Sequence, residues 1–105
     1  MSLVSLANIH FSLGKINIAL DEYNQALHMQ EETLPNDHPD IARTLYDLAL
    51  VQIRLDHPIE ARDYFQRAID IGGQTLSVTH PFMRLITDNQ KYALDNINNS
   101  IKIHF

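Results

Sequence analysis

The chain repeats itself with an offset of 42 residues. Over positions 3–39, 11 of 37 residues are identical to the residue 42 positions later. The identical residues are Leu3, Leu6, Ala7, Leu13, Ala19, Asp21, Ala26, Thr33, Leu34, His38 and Pro39, which recur as Leu45, Leu48, Ala49, Leu55, Ala61, Asp63, Ala68, Thr75, Leu76, His80 and Pro81. Most of them are small or apolar and lie at helical spacing, and only one charged residue recurs. The repeat therefore indicates how the helices are arranged, and it does not indicate a catalytic site.

Apolar periodicity predicts helices throughout the chain. In the second unit, apolar residues three or four apart predict a helix over about 39–55, which opens at Pro39. A second helix is predicted to follow Pro58 and to stop at Gly72-Gly73. Ala61 and Ala68 allow close packing of such helices, and Phe65 fills the remaining space.

The first unit has the same pattern in a shortened form. It predicts a helix over about 2–13, a stop at Gly14 and a longer helix from Ile16, while a fifth helix opens at Pro81. We therefore expect an all-α fold of tandem antiparallel helical hairpins, a fragment of an α-solenoid with about five helices. Its 105 residues form one domain, with units at about 1–38 and 39–80 and a degenerate or capping helix at 81–105.

Charge and cysteine content exclude several classes of protein. The net charge is -5, and residues 1–42 hold six acidic residues against one lysine, whereas the remainder is balanced at seven and seven. Because no basic stripe exists to neutralise phosphates, nucleic acid is not expected as a partner. The sequence has no cysteine, which excludes a disulfide framework, a thiolate metal site and a cysteine nucleophile.

No membrane segment or leader is expected. The longest apolar-rich stretch, from Ile41 to Leu55, is interrupted by Arg43, Asp47 and Arg54, and a membrane span needs roughly 20 apolar residues. The opening residues lack a basic start and a cleavage signal. The sequence indicates a soluble, cytoplasmic protein without a cofactor.

The repeated residues carry a family resemblance. Leu6-Ala7 on the first helix, Gly14 at the turn, and Ala19, Tyr23 and Ala26 on the second helix resemble a tetratricopeptide repeat. The second unit has Leu48-Ala49, Ala61, Phe65 and Ala68 at the same places. The 42-residue spacing and the segment from Thr33 to Pro39 are similar to the kinesin-light-chain subtype. The resemblance covers about residues 1–97.

Some positions depart from the family pattern. His10 and Gln52 stand where a bulky aromatic residue is usual, and Gln90-Lys91 replaces the Leu-Ala pair in the third unit. Kinesin light chains bind acidic, tryptophan-bearing peptides through an asparagine-rich groove, but Val4-Ser5 and Tyr46-Asp47 occupy the positions of its paired asparagines. We therefore do not carry over that cargo specificity.

The resemblance implies a scaffold whose first helices line a concave surface that binds a peptide or a partner helix. The candidate binding residues lie off the packing stripe of these helices. They are Asn8, Ser12, Arg43, Tyr46, Asp47, Leu50, Arg54, Asp88, Asn89 and Tyr92. This mixed face could bind through aromatic contacts and guanidinium hydrogen bonds, and the alternative is an ordinary solvated helix face.

Two other classes of function compete with peptide binding. Asp37, His38 and Asp40 form a cluster able to hold a metal or move protons, but His80 recurs without neighbouring acids, which favours a turn and cap over catalysis. We expect no enzyme activity. The other class is a structural fragment that stacks through its open ends, as a homo-oligomer or within a longer array. The exposed side of the first helix and the apolar Ile101, Ile103 and Phe105 are available for pairing.

Overall fold

The computed structural model describes residues 2–77 and 79–103, and side chains as far as Ile97. These residues form five α-helices and no strand. The helices are α1 (Leu3–Ser12), α2 (Ile16–Thr33), α3 (Pro39–Arg54), α4 (Pro58–Gly72) and α5 (Pro81–Ile103). The all-α prediction is confirmed, and prolines open the last three helices as expected.

The repeated His-Pro pair is a helix cap. The His38 Nδ1 atom accepts a hydrogen bond from the Asp40 backbone N–H at 3.0 Å, and Pro39 occupies the first turn of α3. His80 repeats the arrangement, since its Nδ1 accepts from the Phe82 backbone N–H at 3.1 Å. Each imidazole thus satisfies a backbone donor that the first helical turn leaves without a partner.

The turns inside the two hairpins also match. Gly14 and Asp56, which are 42 residues apart, both have positive φ, at 79° and 60°. One residue later, the Lys15 N–H donates to the His10 carbonyl and the His57 N–H donates to the Gln52 carbonyl, each at 2.8 Å. This left-handed turn closes the first helix of each hairpin and reverses the chain.

The alanines lie where helices approach closely. Both sets are buried: Ala7, Ala19, Ala26, Ala49, Ala61 and Ala68. Tyr23 and Phe65 fill the remaining space and belong to the same core cluster. The interpretation of these residues as packing residues agrees with the structure.

Each helix packs mainly on its neighbours in sequence, so that α3 has α2 on one side and α4 on the other. The molecule is an elongated stack with extents of 47 × 33 × 21 Å. At its end, α5 covers α4 with Met83, Ile86 and Ala93, whereas Tyr92 and Leu94 of the same helix are exposed. The predicted pairing of Ile101, Ile103 and Phe105 falls on side chains outside those described.

None of the helices in the described part of the chain is both long and apolar enough to cross a bilayer. The longest, α5, has 23 residues, but its sequence mixes apolar residues with lysine, aspartate and asparagine.

Candidate functional site

A pocket of about 210 Å³ lies where α1, α2 and α3 meet. Its lining comes from all three helices and consists of Asn8, Phe11, Ser12, Tyr23, Asp47 and Leu50. Four of these six are candidate binding residues from the sequence, and α1 and α3 each contribute two of them. Helical spacing on two separate helices thus predicted residues that share one pocket.

The polar side of the pocket is fixed by a hydrogen bond from the Tyr23 hydroxyl to Asn8 Oδ1. Burial raises the pKa of Tyr23, and the negative charge of Asp47 adds to this effect. The phenol therefore stays protonated and remains a donor. Because Oδ1 of Asn8 accepts this bond, the amide of Asn8 is held in one orientation at the pocket.

Asp47 is the charged residue of the pocket lining. The residue is only 8% exposed. The Nε atom of Arg43 lies 3.8 Å from its Oδ1, beyond hydrogen-bond distance, and no other described residue donates to the carboxylate. Burial raises the pKa of Asp47 to about 6, while the positive charge of Arg43 acts in the opposite direction. A buried carboxylate with incomplete pairing is typical of functional sites.

Tyr46 differs from the expectation that it would lie off the packing stripe. Its ring is 7% exposed and packs 6.0 Å from the Phe65 ring and 5.7 Å from the Phe82 ring, measured between centroids. Burial also raises its pKa. The reason is that Phe82 arrives from the third unit and covers this face of α3. Tyr46 is therefore a core residue whose hydroxyl accepts a 3.5 Å hydrogen bond from Asn89 Nδ2.

Two arginines flank the pocket on α3, and each is stacked on aromatic rings. The Arg43 guanidinium lies 5.8 Å from the Tyr46 ring centroid and 5.5 Å from that of Phe82. The Arg54 guanidinium lies 5.1 Å from the Phe11 ring centroid. Both side chains remain exposed, so their donors are held in place and accessible.

The remaining candidates are further along the stack. Asn89 contacts α3 through its hydrogen bond to the Tyr46 hydroxyl. Asp88 and Tyr92 are exposed on α5, and among the described contacts neither reaches the pocket. The structure thus gathers eight of the ten candidates around α3 and leaves two apart.

Sequence reasoning missed Phe11 and Tyr23 as pocket residues. Phe11 shares a helical face with Asn8 and Ser12, so the spacing that selected those two also contained the signal for Phe11. Tyr23 is a packing residue, as the sequence predicts, but its hydroxyl has no counterpart in Phe65. That difference between the two repeats was the available signal.

The two departures from the family pattern on the first helices make equivalent polar contacts. His10 Nδ1 lies 2.6 Å from Oε1 of the buried Glu22, and Gln52 Oε1 lies 3.0 Å from His57 Nδ1. The first contact joins α1 to α2, and the second joins α3 to His57, the residue before α4. These residues therefore serve the hairpins and not the pocket.

The cluster of Asp37, His38 and Asp40 is accounted for by the cap. The Asp40 carboxylate is 3.8 Å from His38 Nδ1, which already accepts the backbone bond of α3. Among residues 2–77 and 79–103, no group of three or more histidine, aspartate or glutamate side chains is placed to hold a metal ion.

A family model described as tetratricopeptide repeat matches residues 1–72. No curated protein matches the chain. The matched region contains both complete hairpins and ends with the last residue of α4.

Proposed function

The chain belongs to the tetratricopeptide repeat family, whose members are generally protein-interaction modules, and from this premise we propose that it binds a peptide or partner helix on its concave face. The observation that carries the proposal is the convergence of candidate residues from α1 and α3 on one pocket that contains an incompletely paired, buried carboxylate. The chain has no catalytic activity of its own in this proposal and needs no metal, cofactor or nucleic acid.

Several features of the site support recognition of a peptide. Arg43 and Arg54 are held on aromatic rings on either side of the pocket, so their donors can reach backbone carbonyls or acidic groups of a partner. The two residues are eleven positions apart on α3, a distance of about 16 Å at the helical rise. An extended peptide of about five residues spans that distance.

We also assign the chain to the kinesin-light-chain-like subtype and to the cytoplasm. The 42-residue offset supports the subtype, because caps and turns recur at that interval in the structure. The cargo specificity of kinesin light chains is not part of the proposal, since the positions of the paired asparagines hold other residues. The cytoplasm is consistent with a sequence that has no disulfide to maintain.

A peptide selection tests the proposed function. The intact chain is used to select from a library of displayed random peptides, and the enriched peptides are measured against Arg43→Gln/Arg54→Gln. We expect at least tenfold weaker binding by this variant, because it loses the donors on both sides of the pocket. Tyr46 is left unchanged, since its ring supports the core and its replacement would confuse binding with folding.

The matched control is Arg62→Gln/Arg67→Gln, which removes two arginines from α4. It should bind the enriched peptides like the intact chain, with equal helicity by circular dichroism. Failure to enrich any peptide, or equal binding by both double variants, would contradict the proposed function.

A second candidate function is self-assembly through the open side of α1. Ile9 of α1 is 44% exposed, whereas its counterpart Val51 in α3 is completely buried. The reason is that α3 is packed on both sides and α1 only on one. We propose that a second copy of the chain covers this face when the protein assembles.

A further inference from the structure

We propose that the pocket between α1, α2 and α3 is a subsite for one lysine side chain of a bound peptide, whose ammonium group pairs with Asp47. The inference rests on the proposed function, because it assigns a chemistry to part of the same concave face. It differs from that function in naming what the peptide must carry at one position.

The carboxylate of Asp47 is open to a donor from the pocket. More than nine-tenths of the residue is buried, and its ion-pair partner among the described residues is Arg43, whose Nε lies 3.8 Å from Oδ1. The carboxylate oxygens are not among the fully buried atoms without a partner, so they keep contact with solvent at the pocket, and a donor from a bound group can replace that water. The pocket is the side from which that group can enter.

The size of the pocket favours a single side chain. At about 210 Å³ it lies below the range of roughly 300–1,000 Å³ that is usual for small-molecule and cofactor sites. Phe11 and Leu50 offer apolar surface, against which the methylene stem of a lysine can pack while its charged end reaches a polar group.

The polar groups of the pocket are acceptors suited to an ammonium group. Asp47 supplies a carboxylate, Asn8 Oδ1 has a lone pair beyond the one used by Tyr23, and Ser12 contributes a hydroxyl oxygen. An ammonium group has three donors and can distribute them over such convergent oxygens. A neutral apolar side chain would leave the carboxylate unpaired.

Arginine fits the pocket less well than lysine. A guanidinium binds carboxylates best through both oxygens at once, but Arg43 Nε already faces Oδ1 of Asp47. A compact ammonium needs only one free oxygen. Arg43 and Arg54 lie outside the pocket lining and are exposed, so water and salt screen their repulsion.

Nuclear magnetic resonance titration of the intact chain tests the subsite without any peptide partner. The probe is N-acetyl-lysine methylamide, added to the ¹⁵N-labelled protein at neutral pH. We expect saturable shifts of backbone amides around Ser12, Asp47 and Leu50. The norleucine analogue has the same stem without the charge, and alanine methylamide has an α-ammonium without the stem, so both should bind at least tenfold more weakly.

Two variants locate the binding. Asp47→Asn keeps the shape of the side chain and removes the charge, and Ser12→Leu fills the pocket from α1 without touching Asp47. Both should lose the response to the lysine probe by at least tenfold. The control Asp95→Asn removes an exposed carboxylate from α5 and should respond like the intact chain.

The inference is overturned by shifts that do not saturate, by shifts centred elsewhere, or by equal binding of Asp47→Asn. Equal or tighter binding of the norleucine or alanine compound, or of N-acetyl-arginine methylamide added in the same titration, also overturns it. These outcomes leave the peptide selection unaffected. Enriched peptides that bind through Arg43 and Arg54 but contain no lysine would uphold the proposed function and reject the lysine subsite.

Discussion

At position 47, a single buried carboxylate makes the stability of the chain depend on pH. Burial raises the pKa of Asp47 from 3.8 to about 6. Between these two pH values the folded protein holds a proton that the unfolded chain has released. Below pH 4 both forms are protonated. As the pH rises from about 4 to 6 and above, the free energy of unfolding falls, because the folded protein must ionise a buried carboxyl. The total fall is on the order of 3 kcal/mol for a pKa shift of about two units.

Asp47→Asn should therefore be more stable than the intact chain at pH 7 and should lose most of that advantage at pH 4. The neutral amide avoids the cost of burying a charge, and it also gives up the distant attraction of Arg43, which reduces the gain. Urea unfolding at pH 4, 5, 6 and 7 measures the difference. Asp95→Asn should show a difference that hardly changes with pH, and the same constant difference for Asp47→Asn would refute the assignment.

Individual residues of the site were only partly predictable from the sequence. Helical spacing places Asn8 with Ser12 and Asp47 with Leu50, because spacing determines which side chains share a face. It does not determine what covers that face. Tyr46 is buried because Phe82, 36 positions away, packs against it, and no local pattern contains that contact.

At the scale of helices and turns, the two hairpins solve the same backbone problem with different residues. The first uses Gly14 and the second uses Asp56, both with positive φ. Glycine adopts this conformation freely, aspartate tolerates it, and other residues with a side chain pay a steric cost. The turn therefore offers a direct comparison within one chain.

We expect Gly14→Ala to lower the free energy of unfolding by about 1–2 kcal/mol. Gly14→Asp should cost less, because Asp56 already occupies the equivalent turn. Asp56→Gly should stabilise by up to about 1 kcal/mol, by relief of the left-handed backbone. Chemical denaturation of the three variants gives the order, and an equal effect of alanine and aspartate at position 14 would contradict it.

Helix boundaries were predictable because the signals are local. Pro39, Pro58 and Pro81 begin helices in the structure as the sequence indicates, since proline suits a first turn whose amide needs no partner. The buried face of α5 was less predictable. Its apolar residues do not form a single stripe. Met83, Ile86 and Ala93 are buried because they face α4, whereas Tyr92 and Leu94 are exposed.

On the scale of the whole molecule, contacts run mainly from each helix to the next, so the two ends of the stack are chemically different from its centre. The central helix α3 is buried on both sides. At the first end, Ile9 is 44% and Leu13 is 65% exposed on α1. The proposed self-assembly depends on this uncovered apolar surface.

If a second copy covers α1, light scattering should show a dimer at high protein concentration. Ile9→Gln/Leu13→Gln should shift the protein to monomer, because it replaces the apolar surface with polar groups. The control Ile18→Gln/Met29→Gln alters two exposed apolar residues of α2 and should leave the dimer intact. A monomer at the highest soluble concentration of the intact chain would remove the second candidate function.

The matching His-Pro caps make the junction between hairpins interchangeable. His38-Pro39 and His80-Pro81 start their helices with the same hydrogen bond from a backbone N–H to the imidazole. A unit that ends at His38 can therefore be followed by the helix that begins at Pro81, and a unit that ends at His80 by the helix that begins at Pro39. Unequal crossing-over of the coding sequence could therefore insert or delete 42 residues without creating a new kind of joint. Such a chain can change length in whole units during evolution, and each added unit would extend the stack by one hairpin.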